Sequence, residues 1–193
     1  MKTVGVLAIQ GDFAAHAAAL VEAGAQVREV RTAAQLLAVD ALVIPGGEST
    51  TMLKLIEMEK LTEALARFGA SSPVFGTCAG AILMAKGVTS PTQFSFGMMD
   101  IDVERNGYGR QLDSRVVELS GDNLKGPLAG ETVEAVFIRA PIIRRVGEGG
   151  VVLAQYQGDP VLVQQGRHMA ATFHPELATV NRIHRMFVER LSD

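Results

Sequence analysis

Short apolar runs alternate with Ala- and Leu-rich helical stretches through the first half of the chain, and this alternation constrains the fold more than any other feature. Residues 4-VGVLAIQ-10 are nearly continuously apolar, as a parallel strand buried on both faces requires. The Ala-rich stretch 14-AAHAAALVEAG-24 reads as a helix, with Gly24 where the backbone turns left-handed past a helix end. A strand at 26-QVREV-30, a short helical stretch at 33-AAQLLAVD-40 and a third strand at 41-ALVIP-45 lead into the loop 46-GGEST-50. One helical region beginning near Ser49 carries Leu53, Ile56, Leu61, Leu65 and Phe68 and is expected to end at Gly69. A fourth strand, 73-PVFGT-77, meets a cysteine, and 79-AGAILMAKG-87 reads as the next helix. Strands alternating with helices predict an α/β fold of three layers, a mostly parallel central sheet flanked by helices. Ligands of such sheets collect outside the carboxyl ends of the strands. The loops 45-PGGEST-50 and 76-GTCAG-80 sit there together.

The second half reads differently. Residues 98-MMDIDVERNGYGRQ-111, 115-RVVELSG-121 and 132-TVEAVFIRAP-141 are short, β-rich and separated by Gly, Asn and Asp, which predicts antiparallel additions to the sheet. A hairpin is expected over 151-VVLAQYQGDPVLVQQG-166, turning at Gly158-Asp159. The strand 169-MAATF-173 runs into 174-HPE-176, and 181-NRIHRMFVERL-191 closes the chain as a helix. Without repeats, low-complexity segments or a long linker, residues 1–193 are expected to form a single domain with a substantial core.

Charge and cysteine usage remove several function classes. The net charge is −3, and Lys and Arg form no stripe, which argues against nucleic acid as a partner. One cysteine excludes an internal disulfide and a multi-cysteine metal site and suits a reducing cytosol. The amino terminus, 1-MKTVGVLAIQG-11, has no charged leader with a long apolar core, and no apolar run approaches the ~20 residues that span a bilayer. A cytoplasmic protein is expected.

The lone thiol lies in Gly76-Thr77-Cys78-Ala79-Gly80, the G-x-nucleophile-x-G form of a strand-to-helix elbow. There the Ala79 amide can face an oxyanion, and the start of the following helix favours the thiolate. The competing reading is a buried cysteine beside a tight turn. A thiolate needs a proton shuttle, usually histidine. His16 and His184 lie within helices and read as surface or packing residues, and His168 has no adjacent carboxylate. His174 ends a strand and precedes Pro175, which biases it toward extended geometry. In an extended H-P-E, Glu176 faces the same side and can hold one ring nitrogen, leaving the other for Cys78. A strand-ending histidine beside a solvated glutamate is the plain alternative. The loop 46-GGEST-50 supplies bare amides for an oxyanion hole; it lacks the Walker pattern and also reads as a helix-capping turn.

Together these features resemble the triad-type (class I) glutamine amidotransferases. The segments 44-IPGGESTTM-52, 75-FGTCAGAILMAK-86, 103-VERNGYGRQLDS-114, 137-FIRAP-141 and 173-FHPEL-177 are similar to the subfamily of glutaminase subunits that serve pyridoxal 5′-phosphate synthases. The likeness runs from 6-VLAIQGDFAAH-16 to the last strand and is weakest over 86–97. It implies Cys78 as nucleophile with His174 and Glu176 as its relay, and an oxyanion hole from Gly46, Gly47 and Ala79. It implies that glutamine is held by Gly47, Glu48, Ser49, Arg105, Ile138 and Arg139. An acidic group for the ammonium and cationic groups for the carboxylate agree with that ligand. The resemblance further implies, as partner in a hetero-oligomer, a separate (β/α)₈ synthase subunit met through Gln10, Gly11, Asp12 and His16. Activity would wait on docking, and no metal or bound cofactor would be needed. Two rivals remain: a cysteine hydrolase or redox sensor on a related sheet, and a non-catalytic module that regulates a synthase.

Overall fold

The computed structural model describes residues 2–107 and 114–192. Residues 108–113, within the β-rich stretch 98–111 and the motif 103–114 singled out above, lie outside the described residues. In chain order the elements are β1 (Thr3–Leu7), α1 (Phe13–Glu22), β2 (Gln26–Val30), α2 (Ala33–Leu36), β3 (Ala41–Ile44), α3 (Ser49–Met58), α4 (Thr62–Ser71), β4 (Val74–Thr77) and α5 (Ala79–Met84). Then follow β5 (Ala85–Thr89), β6 (Met99–Glu104), β7 (Arg115–Ser120), β8 (Thr132–Phe137), β9 (Ile142–Val146), β10 (Gly150–Tyr156), β11 (Asp159–Gln165), β12 (His168–Ala171) and α6 (Arg182–Arg190).

Seven strands form the central sheet in the order β10-β11-β12-β4-β3-β1-β2. From β12 to β2 every pairing is parallel, whereas β10 and β11 add an antiparallel edge. The burial of β3, β4 and β12 explains their mainly apolar sequence, Thr77 and His168 excepted: each residue faces one covering layer or the other. Leu42 and Ile44 pack toward α2–α5 and the small sheet β5-β6-β9. Ala41 and Val43 pack toward α1, α6 and the β7-β8 ribbon. The period of two in a strand thus divides two hydrophobic cores, giving the three expected layers. Among the described residues no helix is long and apolar enough to cross a membrane.

Three local readings change. The helical region from Ser49 is two helices, and Gly69 lies inside the second. The stop is at Lys60, which takes the left-handed conformation (φ 55°). Its amide bonds the Glu57 carbonyl and the Leu61 amide bonds that of Ile56, a Schellman termination with buried Leu61 packed in the core with Ile56. A lysine stands where glycine usually announces such a stop. Gly69 serves close packing instead, since a Cβ there would lie 2.7 Å from the Met98 side chain. The helix after Cys78 ends at Met84, and Ala85–Thr89 is a strand because it pairs with β6. Finally, the hairpin turns one residue earlier than expected, at Gln157 and Gly158, both with positive φ as a tight β-turn of this hand requires.

The terminal helix brings His184 against His16 of α1, with ring centroids 5.1 Å apart and neither side chain exposed. Burial favours the neutral rings and lowers both pKa values, that of His184 from 6.5 to about 4. This contribution to stability is therefore complete above pH 6.5 and is lost as the pH falls through about 4. At ~1.4 kcal/mol per pH unit it amounts to ~3 kcal/mol. The melting temperature should fall across this window, and His184→Leu should flatten the fall; an equally steep decline in the variant would locate the acid sensitivity elsewhere.

Candidate active site

The carboxyl ends of β1, β3, β4 and β12 converge on one edge of the sheet. At the end of β4, Cys78 adopts φ 49° and ψ −107°, a strained backbone for a residue other than glycine. Its amide donates to the Ala171 carbonyl of β12 at 2.8 Å, which ties the turn to the neighbouring strand. The flanking glycines are required by contact. A Cβ on Gly76 would lie 2.6 Å from the Gly80 backbone, and one on Gly80 only 2.0 Å from the Ile44 carbonyl oxygen of β3. The expected elbow is thus present, and the one cysteine of the chain sits at its tip, largely buried. Its sulfur lies 3.9 Å from the Ile138 carbonyl oxygen.

Just past β12, His174 is anchored by its amide to the Val136 carbonyl of β8. Its Nδ1 lies 2.7 Å from Glu176 Oε1, and the Glu176 side chain is 1% exposed. An extended segment is expected here from the sequence; instead Pro175–Leu177 forms a 3-10 turn, which folds the carboxylate back onto the ring. Burial by itself would lower the pKa of His174. Hydrogen bonds and charge from Cys78 and then Glu176 together outweigh it and carry the value up to about 10. The charged form of the ring is thus favoured, with a sulfur on one side and a carboxylate on the other. Gly46 closes the space above it: a Cβ there would lie 2.5 Å from His174 Cε1 and 3.3 Å from Cys78 Cβ.

The loop after β3 is held by the loop after β1. Gln10 Oε1 accepts from the Glu48 amide at 2.9 Å, and a Cβ on Gly11 would strike the Gly46 carbonyl oxygen at 1.8 Å. Glu48 uses both carboxylate oxygens to cap α3, accepting from the Thr50 and Thr51 amides and the Thr51 hydroxyl. These bonds, that of the Thr51 hydroxyl foremost, hold its pKa at about 2. Arg105 reaches the same carboxylate at 3.4 Å and donates to Thr50 Oγ1 at 2.9 Å. The two residues expected to hold opposite ends of an amino acid therefore meet each other as a pair. The Ser49 hydroxyl is buried and donates to Gln93, so that side chain is committed. Arg139 lies on a left-handed backbone (φ 45°), next to Ile138. A cavity of ≈ 580 Å³ opens beyond Thr50 and Arg105, lined by Leu53, Lys54, Gln93 and Phe94, and includes neither Cys78 nor His174. Among the described residues no cluster of His, Cys, Asp and Glu offers a metal site.

One expectation is corrected. Gln10, Gly11 and Asp12 reach the surface, but His16 does not: its side chain is 0% exposed and cannot meet a docked subunit. It lies behind the relay, 3.3 Å from Glu176 Oε2 and 3.1 Å from Thr77 Oγ1. His184, Thr77 and the bracing Gln10 are likewise residues of the site that the sequence does not mark as catalytic. The available signal for His16 is its place four residues before Leu20, on the buried stripe of α1.

Residues 6–193 match the SNO glutamine amidotransferase family. A protein of Solibacter usitatus named pyridoxal 5′-phosphate synthase subunit PdxT is 59% identical over 192 residues, 99% of this chain and 100% of that one. A protein of the same name from Koribacter versatilis is 49% identical over 186 residues, covering 96% and 94%. Among solved structures, a glutamine amidotransferase is similar with a TM-score of 0.87 and 43% identity, over 98% of this chain and 99% of that one. A putative GMP synthase component of Thermoplasma acidophilum is similar in fold, with a TM-score of 0.69 at 16% identity over 100% and 93% of the two chains.

Proposed function

The chain belongs to the SNO glutamine amidotransferase family, and from that premise we propose that it is the glutaminase subunit of a pyridoxal 5′-phosphate synthase, hydrolysing L-glutamine to L-glutamate and ammonia for a partner synthase subunit. The observation that carries this reading is the placement of Cys78, His174 and Glu176 at the carboxyl edge of the sheet, with Cys78 at the tip of a strained elbow and His174 Nδ1 held by Glu176 at 2.7 Å. The whole chain acts as one amidotransferase domain, in the cytoplasm.

The Cys78 thiolate attacks the side-chain amide carbon of glutamine. Negative charge moves to the amide oxygen, which meets the amides of Ala79 and the Gly46-Gly47 loop. The imidazolium gives its proton to the departing nitrogen as the C–N bond breaks, releasing ammonia and leaving a γ-glutamyl thioester. His174, now neutral, takes a proton from water; hydroxide adds to the thioester, the C–S bond breaks and glutamate leaves. Glu176 stays ionised and stabilises the imidazolium at each passage. Glutamine is held by Gly47, Glu48, Ser49, Arg105, Ile138 and Arg139. Because Glu48 and Arg105 already pair, the substrate ammonium and carboxylate enter as an exchange of partners.

Ammonia protonates in water and loses its nucleophilicity, so the (β/α)₈ barrel of the synthase subunit receives it through a protected path. The loop Gln10-Gly11-Asp12 faces this partner. Through Gln10 it grips the Gly47-Glu48 peptide, which gives docking a direct route to the oxyanion loop. The test is glutamate release by the purified chain alone and with its matching synthase subunit. Turnover only in the mixture is the expected result. Equal turnover in both would remove the gating, and none in either, with a complex formed, would sink the glutaminase reading.

A further inference from the structure

On the side of Glu176 away from Cys78, the catalytic edge is backed by two buried histidines that the reaction above does not use. His16 Nδ1 and His184 Nε2 are 2.8 Å apart, so one of the two nitrogens carries a hydrogen and the other accepts it. His184 Nδ1 is buried with no hydrogen-bond partner. A buried N–H left without an acceptor costs more than a bare lone pair, so the His184 hydrogen sits on Nε2 and is given to His16 Nδ1. Neutral His16 then carries its own hydrogen on Nε2. That atom faces Thr77 Oγ1 at 3.1 Å and Glu176 Oε2 at 3.3 Å. Thr77 Oγ1 is the hydrogen-bond partner of that atom, and the neighbouring Glu176 Oε2 has none of its own. The opposite placement of hydrogens would set a bare imidazole nitrogen against the carboxylate and bury an orphaned N–H on His184.

We infer that His16 is a positioning residue: locked by His184 with its hydrogen on Nε2, it gives that hydrogen to Thr77 and sets the positive N–H edge 3.3 Å from the outer oxygen of Glu176, which holds the carboxylate on His174. Only the kinetic readout of this inference rests on the glutaminase reading. The groups facing His16 are Glu176 and His174 from the turn after β12, His184 from α6 and Thr77 from β4. Burial, with His184 and His174 nearby, keeps His16 neutral, so it supports Glu176 without cancelling the charge that His174 needs.

Two amide variants separate this role from packing. The amide of His16→Gln reaches the place of Nε2, whereas that of His16→Asn reaches only that of Nδ1. In complex with the synthase subunit, His16→Gln is expected to keep kcat for glutamate release within about threefold, and His16→Asn to lose about 10–100-fold, the usual cost of leaving a buried charged group without a neighbouring donor. KM for glutamine should stay within about twofold in both, because neither variant touches the substrate. A second readout needs no glutamine: the rate at which iodoacetamide alkylates Cys78, the only thiol in the chain, against pH. Its upper inflection, set by His174 losing its proton, should fall by about one pH unit in His16→Asn and hold in His16→Gln. Equal kcat and equal inflections in the two variants would overturn the proposal. If the unaltered chain hydrolyses no glutamine, the proposed function fails, and the alkylation comparison still decides this inference. If His16→Asn does not stay folded, His184→Leu frees the hydrogen to move to Nδ1, and an unmoved inflection there overturns it equally.

Discussion

Cys78→Ser releases glutamate at least about 10⁴-fold more slowly than the unaltered chain while docking as before to the synthase subunit: this is the largest effect expected of any single change. The hydroxyl is close to the thiol in size, so the tight turn between Gly76 and Gly80 and the bond from residue 78 to the Ala171 carbonyl should persist. What disappears is the sulfur nucleophile. A serine hydroxyl is a far weaker nucleophile, and His174 then loses the partner that contributes most to raising its pKa. Glutamate release in the mixture and co-sedimentation with the synthase read the two halves of the prediction separately. A variant that no longer docks would show the elbow to be structural, and one that still turns over would remove Cys78 from the chemistry.

Glu176→Gln is expected to lower kcat by about 10³-fold with little change in KM, because it keeps an oxygen for His174 Nδ1 but deletes the charge that stabilises the imidazolium. The 2.7 Å contact and the near-complete burial of the carboxylate make this charge effective, since little solvent screens it. Single-turnover kinetics on the synthase complex would check it. A loss confined to KM would place Glu176 in substrate binding, and retention of full kcat would leave His174 without an acidic partner. A peroxide-sensing cysteine offers the contrast: Cys78 oxidation would survive this change largely intact.

Much of this site was legible because its residues announce themselves locally. Cys78 stands between glycines after an apolar strand, and His174 and Glu176 are two positions apart. Even so, a 3-10 turn rather than an extended strand brings the latter pair together, since the carboxylate's gain from the ring nitrogen does not depend on how the backbone delivers it. The second rank of residues was not legible. His16 and His184 are 168 positions apart, and each reads as an ordinary helical histidine until the sheet stacks α1 against α6. Glu48 and Arg105 illustrate a different limit. Their types suit an amino acid ligand, but only the fold shows that they pair with each other.

The parallel sheet was legible because β3, β4 and β12 are buried on both faces and so are mainly apolar, Thr77 and His168 excepted. The misreadings occurred where tertiary pairing overrides local preference. Ala85–Thr89 continues an apolar, helix-compatible stretch yet forms a strand because β6 lies alongside it. Lys60 stops α3 in a role usually signalled by glycine, because burial of Leu61 stabilises the left-handed turn. Gly69, the glycine that looked like a stop, makes room for Met98 instead.

The position of β12 also bears on how the protein is made. This strand fills the middle of the sheet, between β4 and β11, yet it is translated long after β4. Until it emerges, β4 presents an unpaired apolar edge to the cell, the kind of surface that recruits chaperones and promotes mispairing. His174 and Glu176 emerge later still. A nascent chain therefore carries its thiol without a proton relay from the emergence of β4 until the turn after β12 has been made, and the capacity to break down glutamine arises only then.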